Sequence, residues 1–210
     1  MIKINEITPE NILAGNLKKE IPELYALKEI VENDEFHDNE DVFTHTLDVL
    51  DNLEKVIREN NAEKYLSERI EEHTKKELLI IATLLHDIAK PETIKGFGKE
   101  TSCPEHEKKA TEKSLSIIDK FGLTEKEKSI VLEIIQFHGE IHRIYDPPNE
   151  NSEYEVEMLK KEHKNVFFEL MLLGIADFVG SQLEKKDKKD YEFRMKKYSE
   201  ALDLFIQELF

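Results

Sequence analysis

Residues 84–90 read Leu84-Leu85-His86-Asp87-Ile88-Ala89-Lys90, and they end an almost wholly apolar helical stretch that begins at Leu78. The apolar character of this stretch predicts that it is buried. A buried histidine and aspartate cost several kcal/mol unless something compensates them. A divalent metal ion is a usual compensator, because neutral imidazole and ionised carboxylate both bind such cations. The alternative is a helix C-terminus with a capping histidine and a surface aspartate, and the dipeptide alone leaves both interpretations open.

Length and composition indicate one globular domain, or one domain with an appended helix. The chain has 210 residues, of which 39% are hydrophobic and 36% charged. No apolar run approaches the roughly 20 residues needed to cross a bilayer, and the first residues lack the pattern of a signal peptide. Cys103 is the single cysteine, so no internal disulfide can form. We therefore expect a cytoplasmic protein.

The charge balance limits the class of partner. The formal net charge is −16, and such a surface repels phosphate backbones, so extensive nucleic-acid binding is not expected. A small phosphorylated substrate remains compatible, because a bound cation can reverse the field inside one pocket.

The hydrophobic pattern predicts an all-α bundle with no sheet, divided into an N-terminal extension (1–21), a main helical domain (22–183) and a C-terminal amphipathic helix (184–210). In that last helix Tyr191, Met195, Tyr198, Leu202, Phe205 and Leu209 recur at helical spacing. The stripe either packs on the domain or forms a homodimer interface. The predicted helices are 22–31, 41–60 capped by Asp41, 75–89 ended by Pro91, 105–121, 124–138 capped by Thr124, and 165–183, with loops at 92–104 and 139–164.

Five predicted helices each direct a histidine or an aspartate toward their apolar side. These residues are His45, His86 with Asp87, His106, His138 and Asp177. A single inward histidine is more often a core residue with a hydrogen-bond partner. Five such positions in one small domain favour a metal centre shared between the helices of a bundle.

The order of these residues resembles the HD superfamily of metal-dependent phosphohydrolases, which has a lone histidine, an adjacent His-Asp pair and a distant aspartate. His45, His86-Asp87 and Asp177 stand in that order, and His106 and His138 resemble additional histidines of many members. The resemblance covers about residues 22–183, and it implies an all-α HD-domain helical bundle.

A narrower likeness is to the HD domain appended to bacterial CCA-adding tRNA nucleotidyltransferases. It rests on the segment from Phe36 to Leu47, and on His86-Asp87-Ile88-Ala89-Lys90-Pro91 with Thr93 close behind. The chain carries no nucleotidyltransferase signature and has no room for that domain, so CCA addition is not expected. The resemblance implies a stand-alone phosphatase or 2′,3′-cyclic phosphodiesterase acting on nucleotides.

The resemblance also implies roles for the candidate residues. His45, His86, Asp87 and Asp177 would hold a first metal ion that activates water, with Asp87 as the catalytic bridge to a second ion. His106 and His138 would bind that second ion. In a one-ion enzyme they would instead bind the substrate phosphate or donate a proton to the leaving oxygen. Manganese, iron, cobalt, nickel or zinc suits imidazole with carboxylate, whereas magnesium suits it less.

Other residues are candidates for contact with the substrate. Lys90 lies one helical turn after Asp87 and is either a catalytic phosphate-binding charge or a lysine favoured by the helix dipole. His37 and Arg143 are weaker candidates for substrate binding, as is His142, the neighbour of Arg143. Two other functions stay open: a non-catalytic, metal-stabilised regulatory module, and processing of RNA ends.

Overall fold

A computed structural model describes residues 1–97 and 100–209; Gly98 and Lys99 of the predicted loop, and Phe210 at the end of the predicted C-terminal helix, lie outside them. The architecture is helical, as the hydrophobic pattern predicts. The α-helices are α1 Pro9–Leu13, α2 Pro22–Ala26, α3 Val42–Glu59, α4 Glu63–Leu66, α5 Lys75–Leu85, α6 Lys90–Thr93, α7 His106–Ile118, α8 Glu125–Phe137, α9 Glu140–Ile144, α10 Ser152–Glu162, α11 Phe167–Gly180, α12 Leu183–Lys186 and α13 Lys188–Leu209. Short 3-10 helices cover Ile4–Glu6, Leu27–Glu29 and Asp119–Phe121.

Two small antiparallel hairpins depart from the expectation that the chain has no sheet. Strands β1 (Val31–Asn33) and β2 (Asp38–Asp41) form one, and β3 (Lys95–Phe97) and β4 (Glu100–Ser102) form the other. Strands of three or four residues are too short to show the alternation by which a strand is recognised in sequence.

The core of the bundle forms where α3 packs on α11. Helix α3 begins after Asp41, whose side chain accepts a hydrogen bond from the backbone N–H of Thr44 at 3.0 Å, which confirms the predicted N-cap. Its buried stripe includes Val42, Val49 and Leu53. Helix α11 is apolar on nearly all sides and is therefore buried along most of its length.

Several predicted helix boundaries were wrong. The helix predicted over 22–31 ends at Ala26 and is followed by a 3-10 turn, because Val31 already pairs in β1. The helix predicted over 75–89 ends at Leu85, and Pro91 stands in the first turn of α6, where a missing N–H costs nothing. The predicted loop 139–164 contains α9 and α10.

Helix α13 packs on its own domain. Tyr198 and Leu202 are fully or almost fully buried there, and Arg194 is 1% exposed. The Nη2 atom of Arg194 lies 2.8 Å from Glu35 and 2.9 Å from Asp146. Within the described ranges, no helix is both long enough and apolar enough to cross a membrane.

Candidate metal centre

The first part of the site joins α3 to α11. His45 lies on the buried stripe of α3 and is 1% exposed. Its Nε2 atom lies 2.8 Å from Oδ1 of Asp177, which α11 presents near its C-terminal end. Because α3 and α11 form the core contact of the bundle, this pair is held by two well-packed helices.

The second part comes from the end of α5. His86 is the C-cap residue of that helix, and Asp87 follows it directly. Both are buried, at 0% and 2% exposure. Oδ2 of Asp87 lies 3.3 Å from Nε2 of His86 and 3.9 Å from Nε2 of His45. Oδ1 of Asp177 lies 3.9 Å from Nε2 of His86. The four residues therefore present their ligand atoms to one small volume.

The third part comes from α7 and the end of α8. Nε2 of His106 lies 3.4 Å from Oδ1 of Asp87, and Nε2 of His138 lies 4.0 Å from the same oxygen. The two Nε2 atoms are 3.4 Å apart. The structure thus brings all the predicted ligand residues together, with Asp87 between the two groups.

Three of these histidines share one orientation. In each, Nδ1 donates a hydrogen bond to the backbone carbonyl three residues earlier in the chain, which fixes Nδ1 as a protonated nitrogen and leaves Nε2 as the atom that can bind a cation. The bonds run from His86 to Thr83 at 2.7 Å, from His106 to Cys103 at 2.8 Å and from His138 to Ile135 at 2.7 Å. Rings held in this way direct three Nε2 atoms toward the Asp87 carboxylate, an arrangement typical of metal-binding histidines.

Unpaired buried atoms test whether the residues fit a metal. Nε2 of His86 and Oδ1 of Asp87 are buried and have no hydrogen-bond partner in the part of the chain that the structure describes. Leaving such atoms without a partner is costly. Nε2 of His106 faces Nε2 of His138 at 3.4 Å, and a cation bound beside them would engage both nitrogens. The donor set of imidazole and carboxylate therefore fits a divalent transition metal ion.

The electrostatics of the site favour a cation. Burial lowers the pKa of His138 to about 3, so this ring is neutral and its Nε2 is free to bind. Burial alone would raise the pKa of Asp87, but His86 and Lys90 hold it well below its usual range. Burial would also lower the pKa of His86, yet the neighbouring Asp87 raises it to about 9.

A cavity of about 220 Å³ opens onto this cluster. Its walls include Asp87, His106, His138 and Asp177, together with the predicted substrate residues His37 and Lys90. Lys90 is buried, and its Nζ lies 2.7 Å from Glu32 and 2.8 Å from Asp87.

Arg143, a predicted substrate-binding residue, lies outside the cavity wall. Its side chain is 61% exposed and donates to Glu140 and Glu155, and it is not part of the cavity wall. The short helix α9 turns Arg143 outward, while the preceding residue, His142, lies in the wall.

Glu32 was missed by the sequence analysis. It lies in β1, pairs with the ammonium of Lys90 and lines the cavity. No signal in the sequence marked it, because it stands in a three-residue strand among other acidic residues.

The comparisons with known proteins agree with this geometry. A family model described as the HD domain matches residues 42–201. The chain belongs to the HD domain family. HD domains are typically metal-dependent hydrolases. A comparison with curated proteins gives no match.

Proposed function

We propose that this HD domain protein is a phosphohydrolase of the phosphatase or 2′,3′-cyclic phosphodiesterase type that acts on nucleotides or small phosphoesters. The observation that carries the proposal is the set of Nε2 atoms of His86, His106 and His138 around the carboxylate of Asp87. Such an arrangement has little value in a purely structural core, because it leaves buried polar atoms unpaired.

The ligand groups support a centre for two ions. His45, His86, Asp87 and Asp177 would hold the first ion, and Asp87, His106 and His138 the second, with Asp87 shared. Manganese, iron, cobalt, nickel or zinc fits this donor set. The chemistry that such a centre supplies is Lewis acidity toward water and toward a phosphoryl oxygen.

Lys90 and His37 would act around the centre. The ammonium of Lys90 lies between Glu32 and Asp87, so it fixes the orientation of the shared carboxylate and places one buried positive charge at the cavity wall. His37 contacts Glu40 through Nδ1 at 3.1 Å and lines the same cavity, where it would contact the substrate.

The volume of the cavity and the net charge of the protein favour a small substrate. A cavity of about 220 Å³ and a net charge of −16 support a nucleotide or another small phosphoester rather than a long RNA. The likeness to the HD domain of CCA-adding enzymes supports nucleotide phosphatase or cyclic phosphodiesterase activity in particular.

The test combines metal analysis with a substrate panel. Protein purified without chelators is analysed for transition metals, then assayed with nucleoside monophosphates, 2′,3′-cyclic nucleotides and small phosphomonoesters in the presence of manganese, cobalt or nickel. The Asp87→Asn variant is measured beside Asp51→Asn, a matched change at an exposed aspartate of α3.

Bound metal and turnover that disappear in Asp87→Asn and persist in Asp51→Asn would support the proposal. Bound metal without hydrolysis of any member of the panel would favour the regulatory module instead. Hydrolysis that survives Asp87→Asn would contradict the assignment of the site.

A further inference from the structure

A chain of two hydrogen bonds links the C-terminal helix to Asp177. The hydroxyl of Tyr198, on α13, lies 2.6 Å from Nδ1 of His142. On the other side of the ring, Nε2 of His142 lies 3.0 Å from Oδ2 of Asp177. Tyr198 is fully buried, whereas His142 lies in the wall of the cavity.

The partners decide which atoms carry the protons. A carboxylate only accepts, so Nε2 of His142 is the donor toward Asp177. In a neutral ring Nδ1 is then an acceptor, and the Tyr198 hydroxyl donates to it. Burial raises the pKa of Tyr198 well above its usual value, so the hydroxyl keeps this proton. Both donors, the Tyr198 hydroxyl and the Nε2–H group of His142, therefore have an acceptor.

The consequence concerns the two oxygens of Asp177. Oδ2 is engaged by His142, whereas Oδ1 lies 2.8 Å from Nε2 of His45 and 3.9 Å from Nε2 of His86. Only Oδ1 is therefore turned toward the proposed first ion. Hydrogen-bonded groups behind a ligand commonly fix its orientation in this way.

We propose that His142 and Tyr198 are positioning residues that hold Asp177 as a ligand through one oxygen, and that α13 is thereby part of the metal centre. This inference rests on the proposed function of the site.

The surroundings of Tyr198 make its hydroxyl the part to test. Its ring packs edge-on against Tyr145 at 5.3 Å and lies 5.1 Å from Phe178. The ring of His142 stacks on Phe178 at 6.2 Å. Tyr198→Phe keeps these ring contacts and removes only the donor. Tyr145→Phe removes a hydroxyl from the same aromatic cluster and leaves the chain of hydrogen bonds in place.

The experiment measures metal affinity rather than turnover. The dissociation constant for Mn²⁺ is determined by titration of chelator-treated wild type, Tyr198→Phe, Tyr145→Phe, His142→Leu and His142→Gln, with thermal unfolding of each metal-free variant as a check of folding.

We expect Tyr198→Phe and His142→Leu to bind Mn²⁺ roughly tenfold or more weakly than wild type. Tyr145→Phe should bind like wild type. His142→Gln should bind more tightly than His142→Leu, because its amide can donate to Asp177. In ¹⁵N spectra, wild-type His142 should be the tautomer protonated at Nε2.

The outcomes separate this inference from the proposed function. An Mn²⁺ affinity unchanged in Tyr198→Phe, or lowered equally in Tyr145→Phe, would overturn the positioning role while leaving the metal centre intact. A wild-type protein that binds no divalent ion would overturn both.

Discussion

Nε2 of His106 lies 3.4 Å from Oδ1 of Asp87, whereas Nε2 of His86 lies 3.3 Å from the other carboxylate oxygen, Oδ2. The two oxygens of one aspartate thus face ligands from different parts of the bundle, α7 on one side and the end of α5 on the other. A carboxylate in this position can bridge two ions, as in two-metal hydrolytic centres.

The bridging position predicts how metal is lost from variants. His106→Ala should remove the ion bound near α7 and leave about one of two ions, because the other group keeps His45, His86 and both aspartates. Asp87→Asn should lose both. The measurement is the molar ratio of metal to protein after purification without chelators.

A third variant controls for general effects of substitution on metal content. His163→Ala removes a histidine that bonds to Glu133 and is not part of the cavity wall, and it should keep the wild-type ratio. If the ratio of metal to protein in His106→Ala equals that of wild type, no second ion is bound by His106. His106 and His138 would then be left as candidates for phosphate binding.

Lys90 should stabilise the metal-free protein strongly. Its ammonium contacts Glu32 and Asp87, and the three side chains are at most 8% exposed. Lys90→Met removes the ammonium that contacts both buried carboxylates, and removal of one partner from a buried ion pair costs about 3–5 kcal/mol. Urea denaturation of the chelator-treated protein measures this loss.

A second substitution tests the cause of that loss. Glu32→Gln in the Lys90→Met background should restore part of the stability, since it removes one of the unpaired charges. Lys113→Met breaks a more exposed pair with Glu92 and should cost only about 0–1 kcal/mol. Equal losses for Lys90→Met and Lys113→Met would contradict the role given to burial.

Arg143→Ala should leave kcat and KM for a phosphoester unchanged. The side chain of Arg143 is 61% exposed, and its guanidinium bonds to Glu140 and Glu155 outside the cavity wall. His37→Ala, measured beside it, should raise KM, because His37 lines the cavity. A larger rise of KM in Arg143→Ala than in His37→Ala would show that α9 turns toward the substrate.

The sequence identified the residues that cluster at the candidate site because apolar residues flank them at helical spacing. His45 and His138 stand on apolar stripes, and the pair His86-Asp87 ends an apolar run. The apolar pattern therefore predicts burial at the positions where residue types that bind metals occur. The helical fold followed from the same periodicity.

The partners of these residues could not be predicted. Glu32 pairs with Lys90 across 58 residues, and β1 is too short to leave a pattern. Tyr198 matched the apolar stripe of the last helix, and only the packing of α13 brings its hydroxyl to His142. Arg143 and His142 are adjacent in the sequence, and which of them faces the cavity depends on how α9 is oriented.

Glu169 should make the stability of the protein fall between mildly acidic and neutral pH. It lies on α11 at 2% exposure, and its Oε2 has no hydrogen-bond partner within the described residues. Burial raises its pKa from 4.5 to about 7, against a smaller opposing effect of Lys75. Between these two values the folded protein holds a proton that the unfolded chain has lost. Stability therefore decreases as the pH rises through this range and levels off above it.

The size of this decrease in stability follows from the shift in the pKa of Glu169. Each pKa unit corresponds to about 1.4 kcal/mol, so the charged form of Glu169 costs on the order of 3 kcal/mol above neutral pH. Glu169→Gln should be more stable than wild type by a similar amount at pH 8 and should lose this part of the pH dependence. Glu59→Gln, at an exposed position of α3, should keep the wild-type profile. Urea denaturation of metal-free protein from pH 5 to pH 8 measures all three, and a Glu169→Gln profile parallel to that of wild type would show that Glu169 does not titrate in this range.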